Sequence, residues 1–305
     1  MFQTSTQTSA NKRPPCFAPL FEAVEVERLV NGQEAEVLAF LSQRPIHTVV
    51  MTSLILDNGI ESSLNRGTFY GCRDINGRLE GVALVGHATL IETISDRALM
   101  ALAQVARNCP YTHMIMGEQE RVEDFWAYYD EAGRERRLAC REWLFELRWP
   151  VVALEPTPSL RLATSAELEL VMPVQAELAF EESGVNPMVV DPEGFRKRCL
   201  RRIEQGRTWV VVENGSLIFK ADIISQTSDV IYLEGIWVRE DRREAGEGQR
   251  FMSDLSQKLL QQVESICLLV NENNKRAQNF YRKCGFLFRA TYESVFLPQK
   301  EQMPN

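Results

Sequence analysis

The sequence predicts an α/β protein built from two similar halves. Its 305 residues are about twice the usual length of one domain. Each half carries an Asn-Gly pair between two apolar runs, at 76–77 and 214–215. Such a pair is a strong hairpin signal, because both central residues of the turn take positive φ. Each half then continues through helix and strand patterns to a last helix. After that helix we expect two short paired strands, at 136–147 in the first half and at 286–297 in the second.

We interpret this repeat as a tandem duplication, although two unrelated α/β domains would also fit the pattern. Pro150, Pro156 and Pro158 mark a linker between the halves, since proline removes backbone donors and restricts its neighbours. The predicted divisions are a disordered tail, a first domain, a linker and a second domain, at 1–18, 19–148, 149–158 and 159–305.

Composition excludes several classes of protein. Hydrophobic residues make up 45% of the chain and charged residues 25%, which is typical of a globular protein. The formal net charge of −8 disfavours nucleic acid as a partner. The longest apolar run, at 81–91, is too short to span a bilayer, so no membrane association is expected. The first 15 residues lack the apolar stretch of a signal peptide, which favours the cytoplasm.

The cysteines and histidines do not form a pattern typical of metal sites. The chain has seven cysteines, and no two of them have the spacing of a CxxC pair. Only three histidines occur, and none lies beyond residue 113. We therefore expect no metal site, and free thiols suit a reducing compartment.

The loop at 243–248 separates an apolar strand at 229–238 from an amphipathic helix. It reads Arg243-x-x-Gly246-x-Gly248, an arrangement that brings backbone amides and a helix N-terminus towards an anion. The following residues lack the third glycine of a dinucleotide fold and the Gly-Lys-Ser/Thr of a Walker loop. Taken alone, the loop could also be a solvated start of a helix.

A second motif follows about thirty residues later, after the apolar strand at 265–271. It consists of Asn274, Ala277, Tyr281, Gly285 and Phe286. In this order and at this separation, the two motifs resemble those of the GCN5-related N-acetyltransferase (GNAT) superfamily. The resemblance covers 160–297, and the whole chain more loosely resembles two-part bacterial proteins with a divergent GNAT-like domain before the acetyltransferase domain. It implies tandem GNAT-like domains, each with a mixed, mostly antiparallel sheet flanked by helices.

The resemblance also implies acetyl-CoA as co-substrate. Its pantetheine arm would bond to the splayed strand at Ile236, Trp237 and Val238. Its pyrophosphate would lie on the loop formed by Arg243, Glu244, Ala245, Gly246, Glu247 and Gly248. Asn274 and Ala277 would contact the cofactor arm at the next helix, although Asn274 could be a plain N-cap.

The same resemblance suggests two catalytic residues. Tyr281 would protonate the leaving thiolate, unless it only packs against the neighbouring phenylalanines. Glu234 lies among apolar residues on its strand, where burial would raise the pKa of its carboxyl and suit it to act as a base. It could instead be a structural residue with a backbone or arginine partner. Asp222 is a weaker candidate for substrate contact.

We therefore expect an N-acetyltransferase that transfers an acetyl group to a primary amine by direct attack. The amine could belong to a small molecule or a peptide, and the chain could be a monomer or a homodimer. Glu244 and Glu247 lie in the loop at 243–248, where their negative charges would oppose a pyrophosphate. They support an alternative, a non-catalytic acyl-CoA-binding or scaffold module with a degenerate site. The first half has no glycine loop before its helix at Ser95, so we expect it not to bind acetyl-CoA in this way.

Overall fold

The structure is a computed structural model that describes residues 24–130, 133, 135–151, 154–243 and 246–298. The disordered tail predicted at 1–18 lies outside these residues. The described chain forms an α/β fold with one mixed sheet, which confirms the predicted fold class. None of its described helices is long and apolar enough to cross a bilayer.

Both halves run through similar series of elements. The first half contains β1 (Glu25–Arg28), α1 (Glu34–Leu41), α2 (Pro45–Asn58), β2 (Gly67–Arg73), β3 (Leu79–Gly86), β4 (Ala88–Thr93), α3 (Asp96–Arg107), β5 (Met114–Glu118), α4 (Gln119–Tyr129) and β6 (Leu138–Leu147). The second contains β7 (Arg161–Leu162), α5 (Leu168–Ser183), α6 (Pro187–Val190), α7 (Pro192–Glu204), β8 (Thr208–Glu213), β9 (Ser216–Gln226), β10 (Val230–Val238), α8 (Glu247–Leu259), β11 (Ser265–Asn271), α9 (Lys275–Lys283) and β12 (Leu287–Phe296).

The two predicted hairpins are present, but their turns differ. Between β8 and β9, Asn214 and Gly215 both take positive φ, at 49° and 72°, as the Asn-Gly signal predicts. Between β2 and β3 only Gly77 does so. There the Gly77 amide donates to the Asp74 carbonyl, and the Asp74 carboxylate accepts from the amide of Asn76. The prediction of two positive φ values is therefore wrong at the first turn, because Asp74 stabilises a longer one.

Local capping explains where several helices begin. The Ser95 side chain accepts from the Ala98 amide at the start of α3, and the Asp191 side chain accepts from the Gly194 amide at the start of α7. The Thr164–Glu167 capping box is present, but it encloses a short 3₁₀ turn before α5 begins. These side chains determine where α3 and α7 begin, and the 3₁₀ turn delays the start of α5 to Leu168.

The twelve described strands form one continuous sheet. Their order across it is β1-β2-β3-β4-β5-β12-β6-β11-β10-β9-β8-β7. Two pairs are parallel, β4 with β5 and β10 with β11, and the other neighbours are antiparallel. These two parallel pairs occupy corresponding places in the two halves.

The halves exchange their last strands. β6, from the first half, pairs with β11 of the second, and β12, from the second half, pairs with β5 of the first. β6 and β12 also pair with each other at the centre of the sheet. The prediction that 136–147 and 286–297 each form two short strands paired within their own half is therefore wrong. Each segment is a single 10-residue strand that crosses to the other half.

The hydrophobic cores follow the exchanged strands. Phe145 and Leu147 of β6 are buried in the core under α8 and α9, and Val295 of β12 is buried in the core under α3 and α4. Each such side chain contributes about 1.5–3 kcal/mol when it is fully buried. Each half therefore depends on side chains from the other half to complete its core.

Candidate active site

The candidate site lies where β10 and β11 separate. Their parallel pairing covers only three residues and ends at Tyr232 and Cys267. Beyond this point β10 continues to Val238 and pairs only with β9. The separation opens a cleft of about 630 Å³ between β10, β11, α5 and α9.

A bulge in β10 shapes one wall of this cleft. Glu234 pairs with Asp222 and Trp237 with Lys220, so two β10 residues lie opposite a single β9 residue. Gly235 within the bulge has a φ of 59°, which disfavours other residues. A Cβ at Gly235 would also approach the Lys220 Nζ to 2.7 Å. The sequence therefore needs a glycine at this position.

Lys220 is a buried residue of β9 that stabilises the bulge through hydrogen bonds. Its side chain is 0% exposed, and its Nζ donates to Gln175 Oε1 and Asp222 Oδ2 at 2.6 Å and to the Gly235 carbonyl at 3.1 Å. Three acceptors match the three hydrogens of an ammonium group, so Lys220 binds here as a cation. The lysine within the otherwise apolar run of β9 is the sequence signal that indicates this network.

Asp222 belongs to this buried network and not to the cleft. It is 1% exposed and accepts further bonds from Arg202 at 3.0 Å and from Thr208 at 2.8 Å. Burial alone would raise the pKa of its carboxyl, but Lys220 and Arg202 together lower it. The prediction that Asp222 contacts substrate is wrong, because its carboxylate is fully engaged by structural partners.

Glu234 faces the cleft without a cationic partner. It lines the cleft two residues beyond the last β10–β11 pair, and among the described residues it forms no ion pair. Burial raises the pKa of Glu234, and the Tyr232 hydroxyl and Arg202 only partly oppose that rise. The described ion pairs do not join Glu234 to an arginine, and its role as a base remains a prediction.

Two further glutamates line the same cleft and were not predicted. Glu142 comes from the exchanged strand β6 and Glu182 from the last turn of α5. Burial raises the pKa of Glu142, although a hydrogen bond from Ser294 opposes the rise. Desolvation and the charges of Glu234 and Glu142 raise the pKa of Glu182 to about 8. Since Glu182 is exposed at the cleft mouth, solvent screens part of this effect.

Tyr281 approaches the cleft from α9. It is 8% exposed, packs edge-on against Phe280 and Phe286, and lines the cleft. Its hydroxyl makes no hydrogen bond to another described residue. Burial raises the pKa of Tyr281, so the hydroxyl is protonated at neutral pH. Both predicted features, aromatic packing and a position beside the cleft, are therefore present together.

Asn274 and Ala277 form the start of α9. The Asn274 side chain accepts from the Ala277 amide at 3.0 Å, the geometry of an N-cap. Both residues line the cleft. The capping role of Asn274 is thus present, and its predicted contact with a cofactor remains a prediction.

The predicted anion-binding loop is described in part, since Glu244 and Ala245 lie outside the described residues. Arg243 donates from its Nε to the Val238 carbonyl at 2.7 Å. Glu247 accepts from Arg242 at 2.9 Å, and Arg242 also donates to Glu213 at 2.8 Å. Glu247 is therefore neutralised by Arg242, which in turn is occupied by carboxylates.

The loop glycines have specific steric reasons. Gly246 caps α8 with a φ of 75°, which favours glycine. A Cβ at Gly248 would lie 3.2 Å from Val238 Cγ2 and 3.3 Å from a Phe280 ring carbon. Gly248 thus lets the first turn of α8 approach the end of β10 and α9 closely, and the helix N-terminus there carries a partial positive charge.

The side chains of the splayed strand alternate between two cores. Ile236 and Val238 pack against the core under α8 and α9, whereas Trp237 packs against the core under α5 and α7. Trp237 can therefore contribute to the cleft through its backbone and not its indole.

The first half contains a corresponding separation that is closed. β4 and β5 pair only at three positions, the last being Leu90 with Met116. Glu92 lies two residues beyond this pair, the place that Glu234 takes in the second half. Arg44 of α2 donates to Glu92 at 3.1 Å and to Glu118 at 2.6 Å. Only about 30 Å³ remains free there.

A family model matches the part of the chain that contributes most residues of the open cleft. Residues 176–286 match the model of the acetyltransferase (GNAT) family. This match lies wholly within the second half of the chain. The match begins within α5 and ends just before β12, and it includes both motifs on which the resemblance is based. A search of curated proteins finds no significant match.

Solved structures extend the fold similarity over both halves. A Drosophila protein aligns with a TM-score of 0.66 and 13% identity, over 90% of this chain and 99% of that one. A tandem GNAT protein from the clavulanic acid biosynthesis pathway, solved without acetyl-CoA, aligns with a TM-score of 0.53 and 12% identity, over 92% of this chain and 100% of that one. An acetyltransferase of the GNAT family from Colwellia psychrerythraea aligns with a TM-score of 0.53 and 13% identity, over 90% of this chain and 100% of that one. At these identities the likeness shows a tandem GNAT-like fold.

Proposed function

We propose that the chain is an N-acetyltransferase that transfers an acetyl group from acetyl-CoA to a primary amine in the β10–β11 cleft. The observation that carries the proposal is that this cleft is lined by Glu234, a carboxyl with a raised pKa and no ion pair among the described residues, and by Tyr281, a largely buried tyrosine with a protonated hydroxyl. A base and an acid in one cleft are what acyl transfer to an amine requires.

The surroundings of the cleft support acetyl-CoA as the acyl donor. The end of β10 has no neighbour on its β11 side, which leaves backbone groups for an extended ligand. Gly246 and Gly248 remove side chains from the N-terminus of α8, where amides and the helix dipole favour a phosphate group. The end of β10 continues directly from Glu234, and Gly248 approaches Phe280, which is the neighbour of Tyr281 in α9.

In the proposed reaction, the neutral amine nitrogen attacks the thioester carbonyl carbon, the carbon–sulfur bond breaks, and an amide and free CoA result. Glu234 accepts the proton that the amine loses, directly or through a water. Tyr281 donates a proton to the departing sulfur. The raised pKa of Glu234 makes its carboxylate a stronger base than an exposed glutamate.

The loop favours one second candidate, a non-catalytic acyl-CoA-binding or scaffold module. Arg242 is engaged by Glu247 and Glu213, and Arg243 by the Val238 carbonyl. Arg242 can therefore bind a pyrophosphate only if its ion pairs are exchanged, whereas in the described structure only the Nε of Arg243 is engaged. This arrangement supports weaker acetyl-CoA binding than a loop with uncommitted basic residues.

Calorimetry and kinetics separate the two candidates. We expect acetyl-CoA to bind the full chain and an amine panel to release free thiol. Tyr281→Phe, which keeps the ring packing, should lower turnover about 10²-fold or more with acetyl-CoA affinity unchanged. Tyr111→Phe, at a 79% exposed tyrosine outside the cleft, is the matched control.

Three results would count against the enzyme. Binding without turnover for any amine would favour the non-catalytic module. If calorimetry detects no heat at millimolar acetyl-CoA, the acetyltransferase and the acyl-CoA-binding module are both excluded, and a scaffold role remains. Unchanged turnover in Tyr281→Phe would remove this tyrosine as the acid.

A further inference from the structure

We propose that the acceptor is a diamine or polyamine, and that Glu182 and Glu142 bind its second cationic nitrogen while Glu234 acts on the reacting one. This inference rests on the proposed function and adds the substrate class to it. It is drawn from the charge of the cleft, from its walls, and from what the first half places at the corresponding position.

The charge of the cleft is one-sided. Four glutamates line it, Glu142, Glu181, Glu182 and Glu234, and no lysine, arginine or histidine does so among the residues that the structure describes. Glu234 and Glu142 each raise the pKa of Glu182, so these three carboxylates lie close enough to repel one another. A ligand with two positive charges removes that repulsion, whereas a single ammonium group compensates only part of it.

An independent observation marks the cleft as a ligand site. Tyr281 is 8% exposed and lines the cleft, and its side chain makes no hydrogen bond to another described residue. Its hydroxyl is not among the fully buried polar atoms that lack a partner, so the oxygen reaches open space, where a ligand can form the missing hydrogen bond. The acidic residues are thus grouped around a polar group that already lacks a partner.

The wall of the cleft next to Glu182 is partly apolar. Leu178 and Ala179 line the cleft on the same helix, α5, as Glu181 and Glu182. An aliphatic spacer between two amino groups would bury its methylene groups here at about 0.8 kcal/mol for each. A carboxylate on the acceptor would instead meet like charges, which disfavours amino acids with a free carboxyl group.

The first half contains a natural counterpart of the proposed complex. Glu92, at the position that corresponds to Glu234, binds the guanidinium of Arg44, which also bridges to Glu118. In that half Arg44 places its guanidinium between the carboxylates of Glu92 and Glu118, at the end of an aliphatic side chain. In the second half no lysine, arginine or histidine of the described residues lines the cleft, so a ligand is the group that can supply such a cation.

Three four-carbon probes test the substrate class on the full chain with saturating acetyl-CoA: diaminobutane, butylamine and aminobutyrate. We expect kcat/KM for diaminobutane to exceed that for butylamine at least about tenfold, because a second ion pair in a partly desolvated cleft contributes that much. Aminobutyrate should be the poorest acceptor. Glu182→Gln should remove most of the preference through KM, with kcat retained.

Two matched variants separate charge from structure. Glu177→Gln changes an exposed glutamate of the same helix outside the cleft and should leave the preference intact. Glu182→Asp keeps the charge and should retain part of the preference. Calorimetry of diaminobutane on the protein loaded with CoA measures binding without chemistry and should show the same ranking.

The results distinguish this inference from the proposed function. If acetyl-CoA binds and butylamine or aminobutyrate reacts as well as diaminobutane, the inference is wrong and the acetyltransferase stands. If diaminobutane neither binds nor reacts while acetyl-CoA binds, the inference is also overturned. A comparable heat from magnesium alone would assign the carboxylates to a metal ion. Failure of acetyl-CoA to bind at all would overturn the proposed function itself.

Discussion

The two halves contain the same strand separation, but one is closed and the other is open. Between β4 and β5, Arg44 bridges Glu92 and Glu118 and leaves about 30 Å³. Between β10 and β11, Glu234 has no such partner and the cleft measures about 630 Å³. Two similar strand arrangements can therefore differ in whether the chain supplies its own cation and closes the separation or leaves it open.

The largest expected effect contrasts the two corresponding glutamates. Glu234→Gln should lower turnover about 10²–10³-fold with acetyl-CoA affinity unchanged, because the base is lost. Glu92→Gln should leave turnover unchanged and lower the free energy of unfolding by about 1 kcal/mol, since Arg44 is partly exposed and keeps Glu118. Steady-state kinetics and chemical denaturation of both variants measure this contrast. Equal turnover losses would contradict it.

The second expected effect concerns the bulge that only the open cleft has. Lys220→Met should lower the free energy of unfolding by about 3 kcal/mol, because Asp222 and the Gly235 carbonyl lose a buried partner. Turnover should also fall, since the Gly235 bulge adjoins Glu234. Chemical denaturation measures the loss, and the exposed Lys197→Met is the control. A loss below about 1 kcal/mol would mean that the network does not hold the bulge.

The third expected effect contrasts two glycines with similar steric room. At Gly248 a Cβ would lie 3.2 Å from Val238, and at Gly117 of the first half 3.3 Å from Val122. Both alanine variants should lower stability slightly, by about 1 kcal/mol. Only Gly248→Ala should weaken acetyl-CoA binding, about tenfold, because the helix start moves relative to β10. Calorimetry that finds the same affinity in both variants would remove the loop from the site.

The smallest expected effect depends on pH. The folded pKa of Glu182 is raised to about 8, so ionisation of this group costs stability as the pH rises from its ordinary value of 4.5 through 8. Glu182→Gln should therefore be more stable than the parent chain at pH 9, by less than about 1 kcal/mol because the side chain is exposed at the cleft mouth. The difference should vanish below pH 4.5. Denaturation curves at both pH values measure it, and the opposite sign would contradict the repulsion between the carboxylates.

Local features could be predicted from the sequence because local chemistry determines them. The Asn214-Gly215 turn, the Ser95 and Asp191 caps and the Asn274 cap each depend on groups within a few residues. The order of helices and strands followed from these signals and from apolar periodicity. The fold class and the family resemblance were therefore accessible from the sequence.

The strand exchange could not be predicted in this way. β6 and β12 have the same length and similar apolar content, so periodicity does not state which half each one completes. The partner is chosen by long-range packing, seen where Phe145 and Val295 enter opposite cores. Glu142 reaches the cleft only through this exchange, which is why sequence reasoning missed it.

The central claim is that the β10–β11 cleft binds acetyl-CoA and its β4–β5 counterpart does not. A crystal structure of the full chain with CoA tests it most directly. We expect CoA density once per chain, with its phosphates at the N-terminus of α8, its thiol end beside Glu234 and Tyr281, and the Arg44–Glu92 contact retained. CoA between β4 and β5, or a β10–β11 cleft that stays without CoA at saturating concentration, would contradict the account.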